Sequence, residues 1–208
     1  MASDKYALDP QMRVLLADLG VNHENVLRRA GLPGDLLNRP NVALAGEEYH
    51  RFWTALDAEA GHPALPLLLM NAITVEAFNP VLFATLCSAD LRQAARRLQT
   101  YKSLIGPMRL DIDTDADTTT IACRWLDDQP PSSLAVAELL FWVAMARIGT
   151  RVDVRPISIV TVRPPVDQAP YVDALHVAIE HGPQHAITFA AVDAARPFLT
   201  VNEAMWEQ

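Results

Sequence analysis

The side chains able to do chemistry in this sequence are few and scattered. His176, His181 and His185 fall within ten residues and form the densest histidine cluster. Zinc sites add cysteines or set two histidines one helical turn apart, as in HExxH. Here His181 and His185 flank the Gly182-Pro183 turn, and no carboxylate stands at ligand spacing. Cys87 and Cys123 sit singly in apolar surroundings, again without ligand spacing. The sequence contains no P-loop, no GxGxxG and no GxSxG elbow. No adjacent pair of carboxylates announces acid–base work, although acids distant in sequence can meet in a fold. The expectation is therefore no metal, no cofactor and no enzyme.

One charged residue stands out by its setting. The stretch Ser132 to Arg151 is apolar almost all round, with Leu134, Val136, Leu139, Leu140, Phe141, Trp142, Val143, Met145 and Ile148, and between its ends only Glu138 and Arg147 are charged. A helix apolar on most sides is buried on most sides. The charges interrupt the run too early for a membrane span of roughly twenty apolar residues. Pro130 and Pro131 precede it, Ser132 or Ser133 is the expected cap, and Gly149 the expected C-terminal stop. At about 100° per residue, Glu138 falls among Leu134, Phe141, Trp142 and Met145. A carboxylate there needs a partner or a reason. The first reading is an ion pair with an arginine from a neighbouring strand, or partial exposure at the helix edge. The second is a polar anchor in an apolar ligand pocket.

The aromatic and sulfur side chains suit the second reading. Phe78, Phe83, Tyr101, Met108, Trp125, Trp142 and Met145 lie on elements expected to surround the sheet–helix junction. Together with Glu138 they are the candidate ligand-binding set. Most buried aromatics simply fill volume, so only one or two of these need touch a ligand.

The elements that position them follow from periodicity. Met12, Leu15, Leu16 and Leu19 make one helical stripe ended by Gly20, and Asn22 caps a second carrying Val26, Leu27 and Ala30, closed by Gly31. The pair has few positive charges and reads as helical packing rather than a DNA-binding unit. Tyr49, Phe52, Trp53, Leu56 and Ala60 keep helical spacing from Glu47 to Gly61, and Leu65 to Met70 packs next to them. Asn79-Pro80 opens a short helix with Leu82, Phe83, Leu86 and Cys87, and Asp90 with Gln93 caps another with Leu91, Ala94, Leu98, Tyr101 and Ile105 inward. At Gly106-Pro107 the period becomes two. Met108, Leu110 and Ile112 alternate with Arg109, Asp111 and Asp113, and Ile121, Cys123 and Trp125 share a face of the partner strand. Ile157, Ile159, Val160 and Val162 make both faces of a third strand apolar, which predicts a central position. A brief helix at Tyr171–Leu175, a strand near Ile179 and the strand HAITFA close the chain. The predicted fold is α/β of the α+β kind: a helical N-terminal half packed on a small mixed or antiparallel sheet, with a central buried helix at 133–148.

Composition sets the outer bounds. Half of the 208 residues are hydrophobic and a fifth charged, so a sizeable core is available. A net charge of −8 argues against independent nucleic-acid or membrane-surface binding. The start, MASDKYALDPQ, lacks the apolar centre of a signal peptide, and two cysteines make no disulfide framework, so a cytoplasmic protein is expected.

The order of features carries a resemblance. Ile187-Thr188-Phe189, then Arg196-Pro197-Phe198 and Thr200-Val201-Asn202, resemble the end of the effector-binding region of AraC-type transcriptional regulators, in the arabinose-binding-domain-like branch. The run LGVNHENVLRRAGLPGDLL resembles that family's opening, and Leu86, Ser88 and Leu98 its middle helix. The motifs are diffuse and carry no catalytic group. The resemblance implies an effector-binding domain over 1–198, with 199–208 starting the connection to a helix-turn-helix DNA-binding region that is absent from this chain. It implies a small-molecule effector, apolar or amphipathic by the lining above, a homodimer, and DNA contact only through that missing region. Two other classes stay open: a small-molecule-processing enzyme, or a dimerisation module without ligand.

Overall fold

The apolar periods of the sequence build two layers, and the change from period 3.6 to period two at Gly106 marks where the sheet of the second begins. In the computed structural model, residues 5–8, 11–73, 85–126, 129–202 and 204 are described. The first layer runs β1 (Lys5–Ala7), α1 (Met12–Asp18), α2 (His23–Ala30), a 3-10 turn at Leu36–Asn38, β2 (Ala43–Ala45), α3 (Gly46–Ala60) and α4 (Leu65–Ala72). β1 and β2 pair antiparallel. The Asn22 side chain accepts the N–H groups of Glu24 and Asn25 at 2.9 and 3.1 Å, and Gly31 closes α2 in the left-handed region at φ 66°, as the sequence predicts.

The second layer holds α5 (Leu91–Ile105), β3 (Met108–Thr114), β4 (Thr118–Trp125), α6 (Ser132–Thr150), β5 (Ser158–Thr161), α7 (Ala169–Leu175), β6 (Ile179–His181), β7 (His185–Ala190) and α8 (Ala191–Ala194). The five-stranded sheet has the order β3-β4-β7-β5-β6 and is mixed, because β5 and β6 run parallel. Its register lines up Ile112, Ile121, Ile187, Ile159 and Ile179, one from each strand, in a single row. β-branched side chains pack well on a pleated surface, and α6 lies over this row against β5 and β7. The fold is therefore α+β. The middle strand is β7. The third strand in sequence, β5, is paired on both edges but stands one place off centre, and Ile157 lies outside it and is exposed.

The central helix differs from its expected ends. Neither serine caps it: Ser132 donates to the Arg163 carbonyl at 2.6 Å, and Ser133 donates to the Asp57 carboxylate on α3. Gly149 does not stop it either, since the helix closes at Arg151 in the left-handed region, φ 55°. Gly149 answers a packing need instead. A Cβ there would lie 2.6 Å from the Phe198 ring, so only glycine lets that ring close on the helix.

Two hydrophobic clusters result. One unites Tyr6, Leu16, Leu27, Phe52, Trp53 and Leu56 with Leu134 of α6; the other joins Leu91, Leu98, Met108, Leu140, Trp142, Met145 and Phe189. Trp125 packs against both, and marks the seam between them. The helix Ser132–Thr150 is long and apolar enough to cross a membrane by length and composition, but most of it is buried inside the fold.

Candidate functional site

Glu138 comes to the seam paired. Its Oε2 accepts from Lys102 Nζ at 2.6 Å, with 14 % of the Glu138 side chain and 7 % of the Lys102 side chain exposed. The partner is a lysine of α5 rather than an arginine of a strand. A strand arginine would have to reach across from the sheet, whereas Lys102 already faces α6 from the buried side of α5. Lys102 continues the stripe of Leu91, Ala94, Ala95 and Leu98, all buried, one turn beyond Leu98. That spacing is the signal in the sequence: a lysine on an apolar stripe, matching a glutamate on an apolar helix.

Around the pair the seam is lined from three elements. Tyr49 on α3 is buried, and burial, followed by the negative charge of Glu138, pushes its phenol up. Trp53 lies one turn further along α3. Its indole N–H leans toward the Tyr49 hydroxyl without completing a hydrogen bond, and the nitrogen is buried with no acceptor. Met108 and Trp125 face each other across the β3–β4 pair. A Cβ at Gly106 would meet Met108 Cε at 3.1 Å and the Tyr49 hydroxyl at 3.9 Å, which brings α3 and the start of β3 together. The Trp125 indole N–H is likewise buried without an acceptor. Cys123 lies beside the pair, its thiol pushed up to about 12 by burial and then by Glu138, with Lys102 opposing. At that value the thiol stays protonated and is a poor nucleophile.

A second polar group, centred on His185, packs against Trp125. His185 of β7 faces it edge-on, the ring centroids 6.4 Å apart, and His50 of α3 does the same at 5.7 Å. His185 Nδ1 is 2.8 Å from Thr161 Oγ1, and its Nε2 is 3.3 Å from Gln129 Oε1. A neutral ring with its proton on Nε2 accepts from Thr161 and donates to Gln129. Burial, then the positive charge of Arg163, holds the His185 pKa below its usual value. His176 and His181 are exposed, so the three histidines do not converge. Among the described residues no group of His, Cys, Asp and Glu is arranged to hold a metal ion.

The predicted lining residues divide accordingly. Met108 belongs to the sheet-side cluster, Trp125 packs against both clusters, and the charge of Glu138 reaches Tyr49 of one and Cys123 of the other. Trp142 and Met145 follow Glu138 along α6 and are buried in the sheet-side cluster. Tyr101 is 39 % exposed, one position from Lys102 and turned outward. Phe78 and Phe83, with the short helix expected around them, lie outside the described residues. Lys102, Tyr49 and Trp53 are not among the lining residues that the sequence singles out. The latter two are on a helical stripe, which by itself cannot separate a pocket wall from ordinary core.

Comparison with known proteins places this geometry in a family. The family model described as the arabinose-binding domain of AraC transcription regulators, N-terminal, matches residues 20–198. The ornithine utilization regulator of Pseudomonas aeruginosa is 25 % identical over 201 residues, spanning 91 % of this chain and 58 % of that protein. The crystal structure of the transcriptional regulator CdpR from Pseudomonas aeruginosa superposes with a TM-score of 0.60 at 13 % identity, covering 96 % of this chain and 61 % of that one. The chain thus spans about three fifths of each protein. Both are named as regulators rather than as enzymes.

Proposed function

The chain belongs to the arabinose-binding-domain family of AraC transcription regulators, and we propose that it is the effector-sensing part of such a regulator, with the seam at Lys102 and Glu138 as its binding site. The observation that carries this reading is the buried ion pair, reached by solvent at Glu138, in a fold whose Trp53 and Trp125 indole N–H groups find no acceptor among the described residues. Buried polar groups in folded proteins are normally satisfied. A site with charge, free donors and apolar walls of Met108 and Trp125 suits a small apolar or amphipathic molecule, and the charges favour the amphipathic kind.

The output path starts at the end of the family match. The Phe198 N–H donates to the Ala89 carbonyl at 2.8 Å, Leu199 N–H to Gly149 at 2.7 Å, the Thr200 hydroxyl to Leu86 at 2.6 Å and Asn202 N–H to Cys87 at 2.9 Å. This strap ties the end of α6 to the segment that enters α5, and those helices carry the two halves of the ion pair. We take this strap as the beginning of the connection expected over 199–208. An effector that binds one arrangement of α5 and α6 better than another shifts their populations, and the strap carries that shift outward. DNA contact belongs to a helix-turn-helix region of the whole regulator, and the regulator works as a homodimer, matching paired half-sites.

Native mass spectrometry of the purified protein tests the reading. The expected spectrum shows a dimer that carries, or takes up on incubation with a polar metabolite extract, one small molecule per chain. A protein that takes up nothing contradicts it.

A further inference from the structure

The charge balance of the seam restricts the head group it can take. Lys102 Nζ and Glu138 Oε2 touch at 2.6 Å, and among the described residues neither has a second ionic partner. A ligand with only a carboxylate would compete with Glu138 for Lys102 and leave one buried carboxylate without a cation. A purely cationic ligand would strand Lys102 in the same way. An uncompensated buried charge is costly, so both are disfavoured. A head group carrying both charges leaves every charge with an opposite neighbour: its carboxylate joins Lys102 while its ammonium joins Glu138.

The remaining hydrogen-bond capacity points the same way. The indole nitrogens of Trp53 and Trp125 are buried without acceptors, and Trp53 is only 7 % exposed. An indole only donates, and a carboxylate only accepts, at about four lone-pair sites. Of the two, the Trp53 indole is the one tied to the pair, through Tyr49, whose phenol feels the charge of Glu138, and a ligand carboxylate on Lys102 supplies the acceptor it lacks. Spacing completes the argument. Because the two protein charges are in contact, the two ligand charges must lie side by side, as they do when one carbon bears both.

We propose that the effector of this domain is an α-amino acid with free amino and carboxylate groups, its carboxylate on Lys102 and the Trp53 indole, its ammonium on Glu138, and its side chain along Met108 and Trp125. This rests on the seam being the effector site. No covalent step is involved.

The test is a thermal-shift titration of the whole chain with each standard amino acid at millimolar concentration, beside its α-N-acetyl and α-carboxamide forms. The expected result is that one or a few free amino acids raise Tm by about 5 °C at saturation. Masking either charge should then weaken binding by about 100-fold. Glu138→Gln should lose the response. Since a single charge removal can itself unfold the domain, the double variant Lys102→Met/Glu138→Leu is measured too, and it should fold without responding. The proposal is overturned if no free amino acid raises Tm, if the masked forms act as well as the free one, or if the double variant responds like wild type. Hexanoate and L-arabinose run alongside separate the two levels. If either stabilises wild type but not the double variant while amino acids fail, the seam stays the effector site and the zwitterionic head group falls.

Discussion

Two polar groups are buried in this fold, and they are built differently. On one side His185, Thr161 and Gln129 form a neutral chain in which both ring nitrogens have partners. On the other, Lys102 and Glu138 bring full charges into an apolar seam, where the charge of Glu138 reaches Tyr49 and Cys123. A satisfied neutral network locks strands in register and needs nothing more. A charged pair between two helices adds little net stability over well-packed apolar residues of the same volume. On the reading proposed above, a ligand completes this pair, so that one group belongs to the architecture and the other to recognition.

Substitutions can break that contrast, starting with the largest effect. Glu138→Leu alone leaves Lys102 buried and charged, and should cost about 3–5 kcal/mol in chemical denaturation. Adding Lys102→Met should restore most of it. A double variant as unstable as the single one would mean that the pair is a structural keystone. Gly149→Ala forces the new methyl against the Phe198 ring and should cost about 1–3 kcal/mol, with the strap at 198–202 exchanging amide hydrogens faster than in wild type. On the neutral side, Thr161→Val removes the partner of His185 Nδ1 and should cost about 1–3 kcal/mol, with no change in ligand response.

The two remaining effects are smaller. The His185 ring is neutral in the fold and its folded pKa lies below the unfolded value of about 6.5. The unfolded chain therefore binds the extra proton first. The stabilisation is complete above about pH 6.5 and is lost as pH falls through the depressed folded value. Urea midpoints followed downward from pH 7.5 should show this loss, and His185→Gln should flatten it. Last, Trp53→Phe deletes an N–H that has no acceptor, so stability should change by less than about 1 kcal/mol while ligand affinity falls.

Much of the architecture was legible in the amino acids. Asn22, Gly31 and Asp90 cap as their types predict, and the switch to alternating residues at Met108 locates the sheet. The central helix was visible from its composition alone, and Glu138 from its isolation. What escaped was pairwise. Gly149 looks like a stop signal until Phe198 is seen against it, and the two are distant in sequence. Ser132 and Ser133 look like caps until Arg163 and Asp57 take their hydroxyls. Lys102 was overlooked because a single lysine on an otherwise basic helix reads as solvated. Only the approach of α5 to α6 turns it into the partner of Glu138. Local spacing specifies elements, whereas a site formed by five elements depends on how they meet.

The central claim is that the Lys102–Glu138 pair recognises a small molecule and the His185 group does not. Thermal shifts of wild type, Lys102→Met/Glu138→Leu and Thr161→Val against one polar-metabolite library test it directly. The account predicts compounds that stabilise wild type and Thr161→Val alike and leave the double variant unmoved. Compounds that stabilise all three equally, or that lose their effect only in Thr161→Val, would contradict it.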